Sequence, residues 1–312
     1  MPVIKGVYRA YSSSANLGPG FDVMAVALNA YHDDVEVKVT TPGSRHVEVR
    51  FYGEFSTGIA PEKSTVMLAA KELLSRTGIC ADVEVSVTKG IPVGKGLGSS
   101  GASAAGIVRA LNDLLGLELG ESEEVLIAGE GERASAGVPH YDNVAASLHG
   151  WLTIVFKGRP GIEVRSYRVR ATFVIAAPNL ATPPSKTEVM RSVIPRVVNL
   201  GDVVANQGNL AALVAGLLLG DLALAGKGME DHIVVPARAK YIPCFYWARD
   251  AAMNAGALGF TLSGAGPSTI ALVPSEAVAK EVSRAVKEAY KACGISADVV
   301  IARPAPGVLR ID

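Results

Sequence analysis

The 312-residue chain has few cysteines and histidines, and their spacing forms no familiar metal or redox motif. It contains three cysteines, Cys80, Cys244 and Cys293, and no CxxC pair. An odd number of widely separated cysteines predicts reduced thiols in a cytosol rather than a disulfide framework. The five histidines show neither HxxxH nor HExxH spacing, which argues against a zinc site.

The chain also lacks net charge, because 30 Lys and Arg balance 30 Asp and Glu. Without a broad basic field, neither nucleic acid nor an anionic membrane surface is predicted as a partner. Hydrophobic residues make up 49% of the chain and charged residues 19%, so it can bury a large core and is not disordered. Its length is that of about two domains.

Long hydrophobic runs are scarce as well. The longest runs from Leu210 to Gly226, about 17 residues, and Asp221 interrupts it. That length is marginal for crossing a bilayer and predicts a buried helix pair instead. The first residues, Met1 to Arg9, do not resemble a signal peptide. We therefore expect a cytoplasmic protein.

Strand and helix patterns are mixed without a strict repeat, and this order predicts an α+β protein of two domains, 1–160 and 161–312. Val35–Thr40 and His46–Phe51 alternate around the turn residues 41–44 and predict a β-hairpin. The other predicted elements are strands at Val3–Ser12, 83–87, Trp151–Phe156, Thr172–Ala177, Ala257–Leu262, Ser268–Val273 and Asp298–Arg303, and helices at Pro61–Arg76, Ser99–Leu115 and Ser275–Ala292.

A glycine-rich loop lies between a predicted strand and the helix that begins near Ser99. Its sequence is Gly94-Lys95-Gly96-Leu97-Gly98-Ser99-Ser100-Gly101. Glycines let backbone N–H groups converge on one point, and the helix start adds free N–H groups and a positive dipole end. Serine hydroxyls there can bond phosphate or its Mg²⁺. The segment predicts a phosphate-binding loop, the alternative being a tight turn that only allows close packing.

Two common nucleotide motifs fit this loop less well. The pattern GxxxxGK[ST] is absent, since no Gly-Lys pair precedes Ser or Thr. The dinucleotide pattern GxGxxG does match, but residues 89–95 separate the match from the predicted strand, and Glu118 follows a helix end rather than a second strand. A dinucleotide site is therefore the weaker interpretation.

Three segments resemble motifs of the GHMP small-molecule kinases, in the same order along the chain. They are SANLGPGFD at 14–22, the glycine loop with Pro92 ahead of it, and SGAGPS at 263–268. Four segments are similar to the homoserine kinase family specifically: ANLGPGFD, HYDNVA at 140–145, MRSVIP at 190–195, and Asp231 followed by Pro236 and Arg238. The resemblance covers nearly the whole chain.

The resemblance implies a fold and a reaction. The fold is the two-domain GHMP kinase fold, with an N-terminal domain like domain 2 of ribosomal protein S5 and a ferredoxin-like α/β C-terminal domain. The reaction is ATP-dependent phosphorylation of the L-homoserine side-chain hydroxyl with release of ADP, a step in threonine biosynthesis. A mevalonate-type kinase and a non-catalytic protein with this fold are the alternatives. Mevalonate has no ammonium group, so acidic residues in the acceptor site favour homoserine.

A homoserine zwitterion requires a carboxylate near its ammonium and an arginine near its own carboxylate. The predicted substrate-binding set is Asn16, Asp22, Asp142, Asn143, Arg191 and Arg238. The two aspartates are the candidates for the ammonium, the two arginines for the carboxylate, and the asparagines for orienting amides. The alternative is that the aspartates cap helices and the arginines are solvated surface charges.

The resemblance also implies ATP and Mg²⁺ as cofactors. Glu132 and Ser100 are the expected metal ligands, with Glu130 and Ser99 as second choices, because Mg²⁺ prefers carboxylate and hydroxyl oxygens. The predicted catalytic set is Lys95, Ser100, Glu132 and Asn143. The predicted ATP-binding set is Pro92, Gly94, Lys95, Gly96, Leu97, Gly98, Ser99, Ser100, Gly101, Ser64, Gly264, Ala265 and Gly266.

Three points stay open at this stage. Asn143 stands where mevalonate kinase-like relatives carry an aspartate, so no general base is assigned. Ser64 stands where homoserine kinases commonly carry an asparagine, which leaves the nucleotide preference open. The apolar helices at 200–226 could form a dimer face or part of the core, and we expect a homodimer.

Overall fold

The computed structural model describes residues 2–133, 139–158, 161–181, 183 and 186–312. Its strands form two sheets, and helices pack on both. The strands are β1 (Val3–Asn16), β2 (Gly20–Thr40), β3 (Val47–Tyr52), β4 (Asp82–Thr88), β5 (Leu152–Gly158), β6 (Gly161–Tyr167), β7 (Thr172–Pro178), β8 (Gly259–Leu262), β9 (Thr269–Val273), β10 (Ala297–Ala302) and β11 (Leu309–Arg310). The helices are α1 (Thr65–Thr77), α2 (Ser99–Leu115), α3 (Glu121–Gly131), α4 (Asp142–His149), α5 (Lys186–Ser192), α6 (Leu200–Leu219), α7 (Leu222–Lys227), α8 (Val234–Ala239), α9 (Phe245–Asn254) and α10 (Glu276–Ala292), with a short 3-10 helix at Pro61–Lys63.

The first sheet has the order β11-β1-β2-β4-β3, and β5 and β6 extend it beside β2. Helix α2 packs closely on β1 and β2, because its first half consists of glycine, alanine and serine. A Cβ at Gly106 would lie 2.6 Å from the side chain of Val35, so only glycine allows this approach. The glycine loop at the start of α2 is thereby fixed to the sheet.

The predicted hairpin of Val35–Thr40 and His46–Phe51 is wrong. Strand β4 lies between β2 and β3, antiparallel to the former and parallel to the latter. The residues at 41–44 do turn the chain, but an alternating pattern predicts only that a segment is a strand and not which strand it pairs with. The valines of β4 alternate equally well and take the central position, where Val85 is opposite both Val37 and Val49.

The second sheet has the order β10-β7-β9-β8, and α9 and α10 pack against its strands. The change from one sheet to the other occurs between Tyr167 and Thr172, since β6 forms a hairpin with β5 in the first sheet. The domain boundary predicted after residue 160 therefore falls inside a hairpin. Strand β11 also returns to the first sheet, beside β1.

The cysteines do not all remain thiols, contrary to the sequence-based expectation. Cys244 and Cys293 form a disulfide across a Cα separation of 6.4 Å, and Cys80 is free and exposed. The two partners are 49 residues apart in sequence and meet because the start of α9 packs beside the end of α10. Sequence spacing gives no sign of that contact.

The apolar run at 210–226 forms two helices, α6 and α7, but the predicted burial is wrong. Among the described helices, α6 is the one long and apolar enough to cross a membrane, by length and composition alone, and only 17% of its apolar window is buried. Core helices of soluble proteins pass the same length and composition test, so this is weak evidence for a span. Leu200, Val204 and Leu219 are instead 76%, 59% and 81% exposed.

Candidate active site

The first glycine loop is held against the second glycine loop, the segment 264–266. A Cβ at Gly96 would lie 2.3 Å from the carbonyl oxygen of Ser263, and the backbone of Gly96 has a φ of +79°. The Ser263 hydroxyl donates to the Gly96 carbonyl at 2.7 Å, and the Ser268 N–H donates to the carbonyl of Lys95. These contacts pack the two loops together.

A buried ion pair lies beneath the first loop, and sequence reasoning missed it. The Lys89 ammonium is hydrogen-bonded to Asp33, to the Ser99 carbonyl and to the Ser103 hydroxyl. Asp33 also accepts from the backbone N–H groups of Gly90 and Ile91. These bonds tie the entry of the loop and the first turn of α2 to β2. No motif marks Lys89, because a lysine ending a strand is ordinarily read as a solvated charge.

A cavity of about 220 Å³ lies above this loop and is called here the nucleotide cavity. Most of the predicted ATP-binding residues line it: Pro92, Gly94, Gly96, Leu97, Gly98, Ser99, Ser100, Gly264 and Ala265. Glu132 and Asn143 line it too. Backbone N–H groups at the start of α2 and serine hydroxyls therefore border one concave space, which suits an anion.

Four predicted ATP-binding residues do not line the nucleotide cavity, for different reasons. The Lys95 ammonium donates to the carbonyls of Pro178 and Leu180, at 3.1 and 2.5 Å, and so turns toward the second sheet. Ser64 caps α1, with its hydroxyl accepting from the backbone of that helix. Gly101 packs against Asn143, and Gly266, the last residue of the second glycine loop, packs against Ile242.

Glu132 and Ser100 come together at the edge of the nucleotide cavity. The Ser100 hydroxyl donates to Glu132 Oε2 at 3.0 Å, although 32 residues separate them. The alternative ligand, Glu130, forms an ion pair with Arg133 instead. No group of three or more His, Cys, Asp or Glu able to hold a metal occurs within the described residues. A carboxylate and a hydroxyl beside a phosphate cradle nevertheless form an oxygen donor set that fits Mg²⁺.

A second, smaller cavity of about 50 Å³, called here the acceptor cavity, contains the whole predicted substrate-binding set. Asn16, Asp22, Asp142, Asn143, Arg191 and Arg238 all line it. Both terminal nitrogens of Arg191 donate to Asp22 Oδ2, at 3.0 and 2.5 Å. The cavity is thus lined by carboxylates, called here the acidic wall, and by guanidinium groups, called here the basic wall.

The acidic wall is positioned by an unusual backbone. Asn16 and Asp22 have φ values of +74° and +59°, and the Asp22 N–H donates to Asn16 Oδ1 at 3.2 Å. Neither aspartate is the N-cap of a helix: Asp22 lies in β2, and Asp142 is the first residue of α4, whose N-cap is Tyr141. The helix-cap alternative is therefore wrong for Asp22, whereas Asp142 Oδ1 accepts from the N–H of Asn143 at 2.7 Å, within the first turn of α4.

The basic wall is positioned by backbone carbonyls. Arg238 is 4% exposed and donates to the carbonyls of Met190 and Gly264, at 3.0 and 3.1 Å. Asp231 caps the start of α8, the helix that carries Arg238, by accepting from three backbone N–H groups. Both guanidinium groups of this wall lie about 5 Å from the ring of Phe21, at 5.3 and 5.4 Å. Phe21 was not among the residues predicted for the site.

Burial dominates the protonation of the acceptor cavity. Burial and, after it, the nearby Asp22 carboxylate raise the pKa of Asp142 to about 7. Burial and the positive charge of Arg191 lower the pKa of His140. At neutral pH the Asp142 carboxyl is thus poised between its two forms, and a cation entering the cavity favours the anion.

The two cavities share a wall. His140, Asn143, Thr187, Gly264 and Ala265 line both of them. The Ser13 hydroxyl donates to Asn143 Oδ1 at 2.9 Å and fixes the amide at the junction. Thr187 and Ser13 were not predicted, because neither carries a charge nor lies in a glycine-rich segment. A group bound in the acceptor cavity is therefore directly beside a phosphate in the nucleotide cavity.

Comparisons with known proteins agree on one family. Residues 64–151 match the model of the GHMP kinases N terminal domain, and residues 210–292 match the GHMP kinases C terminal model. The chain is 47% identical to the homoserine kinase of Aeropyrum pernix over 302 residues, which covers 96% of each chain. The crystal structure of homoserine kinase from Cytophaga hutchinsonii superposes with a TM-score of 0.90 at 34% identity, covering 98% of this chain and 97% of that one. The chain also shares its fold with the structure described as MDDEF in complex with MVAPP, AMPPCP and magnesium. That superposition has a TM-score of 0.70 at 14% identity and covers 100% of both chains.

Proposed function

The chain belongs to the homoserine kinases of the GHMP kinase family, and from that premise we propose which residues carry the reaction. The enzyme uses ATP to phosphorylate the side-chain hydroxyl of L-homoserine. The bond between the terminal phosphorus and the β,γ-bridging oxygen breaks, and a bond from phosphorus to the homoserine oxygen forms. The products are ADP and O-phospho-L-homoserine, and the hydroxyl proton is released.

The ATP phosphates occupy the nucleotide cavity in this proposal. The backbone N–H groups at the start of α2 face the anion, and the second glycine loop closes the other side. The Ser99 hydroxyl donates to the carbonyl of Ile91 and braces the loop. Such donors stabilise charge on a transferring phosphoryl group without rearrangement. The single observation that carries the assignment is the wall shared by the two cavities, since it brings a donor phosphate and an acceptor hydroxyl together.

Homoserine takes the place of an internal ion pair in the acceptor cavity. Its ammonium binds Asp22 and Asp142, and its carboxylate binds Arg191 and Arg238. The ion pair between Arg191 and Asp22 supports this orientation, because a zwitterion inserted between the two side chains satisfies both of them. The substrate side chain then extends toward Asn143, whose amide orients the hydroxyl.

Glu132 and Ser100 would hold Mg²⁺ with the ATP phosphates. When bound, the ion neutralises phosphate charge and orients the terminal phosphoryl group. The contact between the two side chains supports this pair over Glu130. No general base is assigned, because phosphoryl transfer depends chiefly on positioning and charge neutralisation. The cytoplasmic location stays a prediction.

The proposal is tested by ADP release with Mg-ATP and either L-homoserine or mevalonate as acceptor. We expect turnover with homoserine alone. Arg238→Leu should then raise the homoserine KM about 100-fold or more, because the substrate carboxylate loses a buried charged partner. The matched control is Arg249→Leu, an exposed arginine that pairs with Asp250. Turnover with mevalonate, or an unchanged KM in Arg238→Leu, would contradict the acceptor assignment.

We also propose that the exposed face of α6 packs against a second copy of the chain. Leu200, Val204, Ala211 and Leu218 recur at helical spacing on the exposed side of the helix. An apolar stripe of this length is unusual on the surface of a monomer. Light scattering should give twice the chain mass of 32.3 kDa. Val204→Asp should shift the mass to one chain, whereas Ile311→Asp, on the first sheet, should not.

A further inference from the structure

Lys186 is a buried lysine that sequence reasoning did not single out. It is the first residue of α5 and is 7% exposed. Its ammonium donates to the carbonyl of Gly266, the last residue of the second glycine loop, and Lys186 is among the residues that line the nucleotide cavity. The adjacent Thr187 lines both cavities. Lys186 therefore lies near the junction where a phosphoryl group would pass from donor to acceptor.

The surroundings of Lys186 are unfavourable for a positive charge. Within the described part of the chain, no carboxylate lies within ion-pair distance of its ammonium. Burial and, after it, the positive charges of Arg238 and Lys95 lower the pKa of Lys186 to about 7. Glu132 and His140 are the other titratable groups lining the same cavity. A buried lysine among cations is stabilised when an anion binds beside it.

The nucleotide cavity is the place where such an anion would bind. The helix start, the glycine loop and Lys186 all border the same space of about 220 Å³. Lys95, the lysine that the loop sequence suggests, points away toward two carbonyls. The charge expected from the loop is therefore available from α5 instead.

We propose that Lys186 binds the terminal phosphoryl group of the nucleotide and stabilises the charge on that group during transfer. This inference rests on the proposed function, which places the triphosphate in this cavity. The lysine acts as an electrostatic donor only, so no bond to it forms or breaks. Lys186 should therefore contribute to the binding of the γ-phosphate and much less to the binding of the α- and β-phosphates.

The first test measures binding without turnover. Calorimetry gives the affinities of Mg-ADP and Mg-AMPPCP for the native enzyme, Lys186→Met and Lys186→Arg. The preference of the native enzyme for AMPPCP over ADP should fall at least tenfold in Lys186→Met and return in part in Lys186→Arg. The control is Lys71→Met, an exposed lysine on α1. An equal loss of both affinities, or an unchanged preference, would overturn the proposal.

The second measurement follows the proton. With a pKa of about 7 in the free enzyme, about nine-tenths of Lys186 is neutral at pH 8, and the bound anion should restore its proton. Titrating AMPPCP in two buffers of different ionisation enthalpy should show an uptake of nearly one proton in the native enzyme. On binding AMPPCP, Lys186→Met should take up nearly one proton fewer than the native enzyme, because only the contribution of Lys186 is removed. Equal uptake in both proteins would refute the assignment.

Kinetics complete the test. Lys186→Met should lower kcat about 100-fold or more, the usual effect of losing one transition-state donor, and leave the homoserine KM within about threefold. Retained kcat would overturn the proposal for Lys186. Absence of homoserine turnover in the native enzyme would instead contradict the proposed function, while the two binding measurements would still decide the role of the lysine.

Discussion

The pKa of Asp142, about 7, makes homoserine binding depend on pH in a defined direction. Only the carboxylate form attracts the substrate ammonium, and the acid form predominates below pH 7. With that pKa, about one-tenth of Asp142 is ionised at pH 6 and about nine-tenths at pH 8. We therefore expect homoserine to bind about tenfold more tightly at pH 8 than at pH 6.

The other charged groups that face Asp142 do not produce a rise in homoserine affinity between pH 6 and pH 8. Burial lowers the pKa of Arg238 to about 10, which is still above this pH range, so its charge does not change. His140 has a lowered pKa and lines both cavities, so its loss of charge occurs at lower pH than the ionisation of Asp142. The Asp22 carboxylate already contributes to the raised pKa of Asp142.

Calorimetric titration of homoserine in the presence of ADP, at half-unit steps from pH 6 to pH 8, measures the effect. Asp142→Asn removes the titrating group, so its affinity should stay close to the native value at pH 6 throughout. His140→Asn should keep the native rise. A native affinity that is flat, or that falls with pH, would refute the reasoning, as would a rise retained in Asp142→Asn.

The remaining predictions concern the phosphate loop, the metal and the disulfide. Gly98→Val should abolish ATP turnover, because a Cβ there lies 2.1 Å from the Ser13 hydroxyl at a φ of +71°; normal kcat would contradict the loop assignment. Glu132→Gln should raise the Mg²⁺ concentration needed for half-maximal rate far more than it changes the homoserine KM, and Glu130→Gln should do neither. Cys244→Ser should lower the free energy of unfolding by about 4 kcal/mol, from the 49-residue separation of the bonded cysteines, measured by denaturant titration. Titration of three free thiols in the unreduced, unfolded protein would contradict the disulfide.

The sequence predicted elements better than it predicted their neighbours. Helix Ser99–Leu115 is confirmed at both ends, because glycines stand at its two caps. The first half of β2 was missed, since Ala25, Val26 and Ala27 are all fully buried and leave no alternation to detect. Strand pairing is decided by contacts between distant segments, which is why the parallel pairing of β3 with β4 could not be inferred.

The acceptor site was predictable because its residues lie in motifs, whereas side-chain directions were not. All six substrate-binding residues line one cavity, as expected. Lys95 lies in the same loop as Gly96, yet its ammonium leaves the site for the carbonyls of Pro178 and Leu180. Lys186 lies in no motif and reaches the site through the packing of α5. A one-dimensional pattern does not contain this information.

The exposure of the charged groups indicates which of them sets the choice of acceptor. Asp22 and Arg191 are 40% and 35% exposed, so water can replace a missing partner and their loss costs little. Asp142 and Arg238 are each 4% exposed, and a buried charge left without a partner costs about 2–5 kcal/mol. An acceptor without an ammonium, such as mevalonate, leaves Asp142 unpaired. Because this carboxyl has a pKa of about 7, it then takes up a proton at a cost of about 1.4 kcal/mol at pH 8, so such an acceptor should bind about tenfold more weakly there. Because the Asp142 carboxyl is mostly protonated below pH 7, the difference in affinity between homoserine and an acceptor without an ammonium should decrease as the pH falls. We therefore expect the buried pair to determine the selectivity of the enzyme, and the exposed pair to orient the zwitterion on entry.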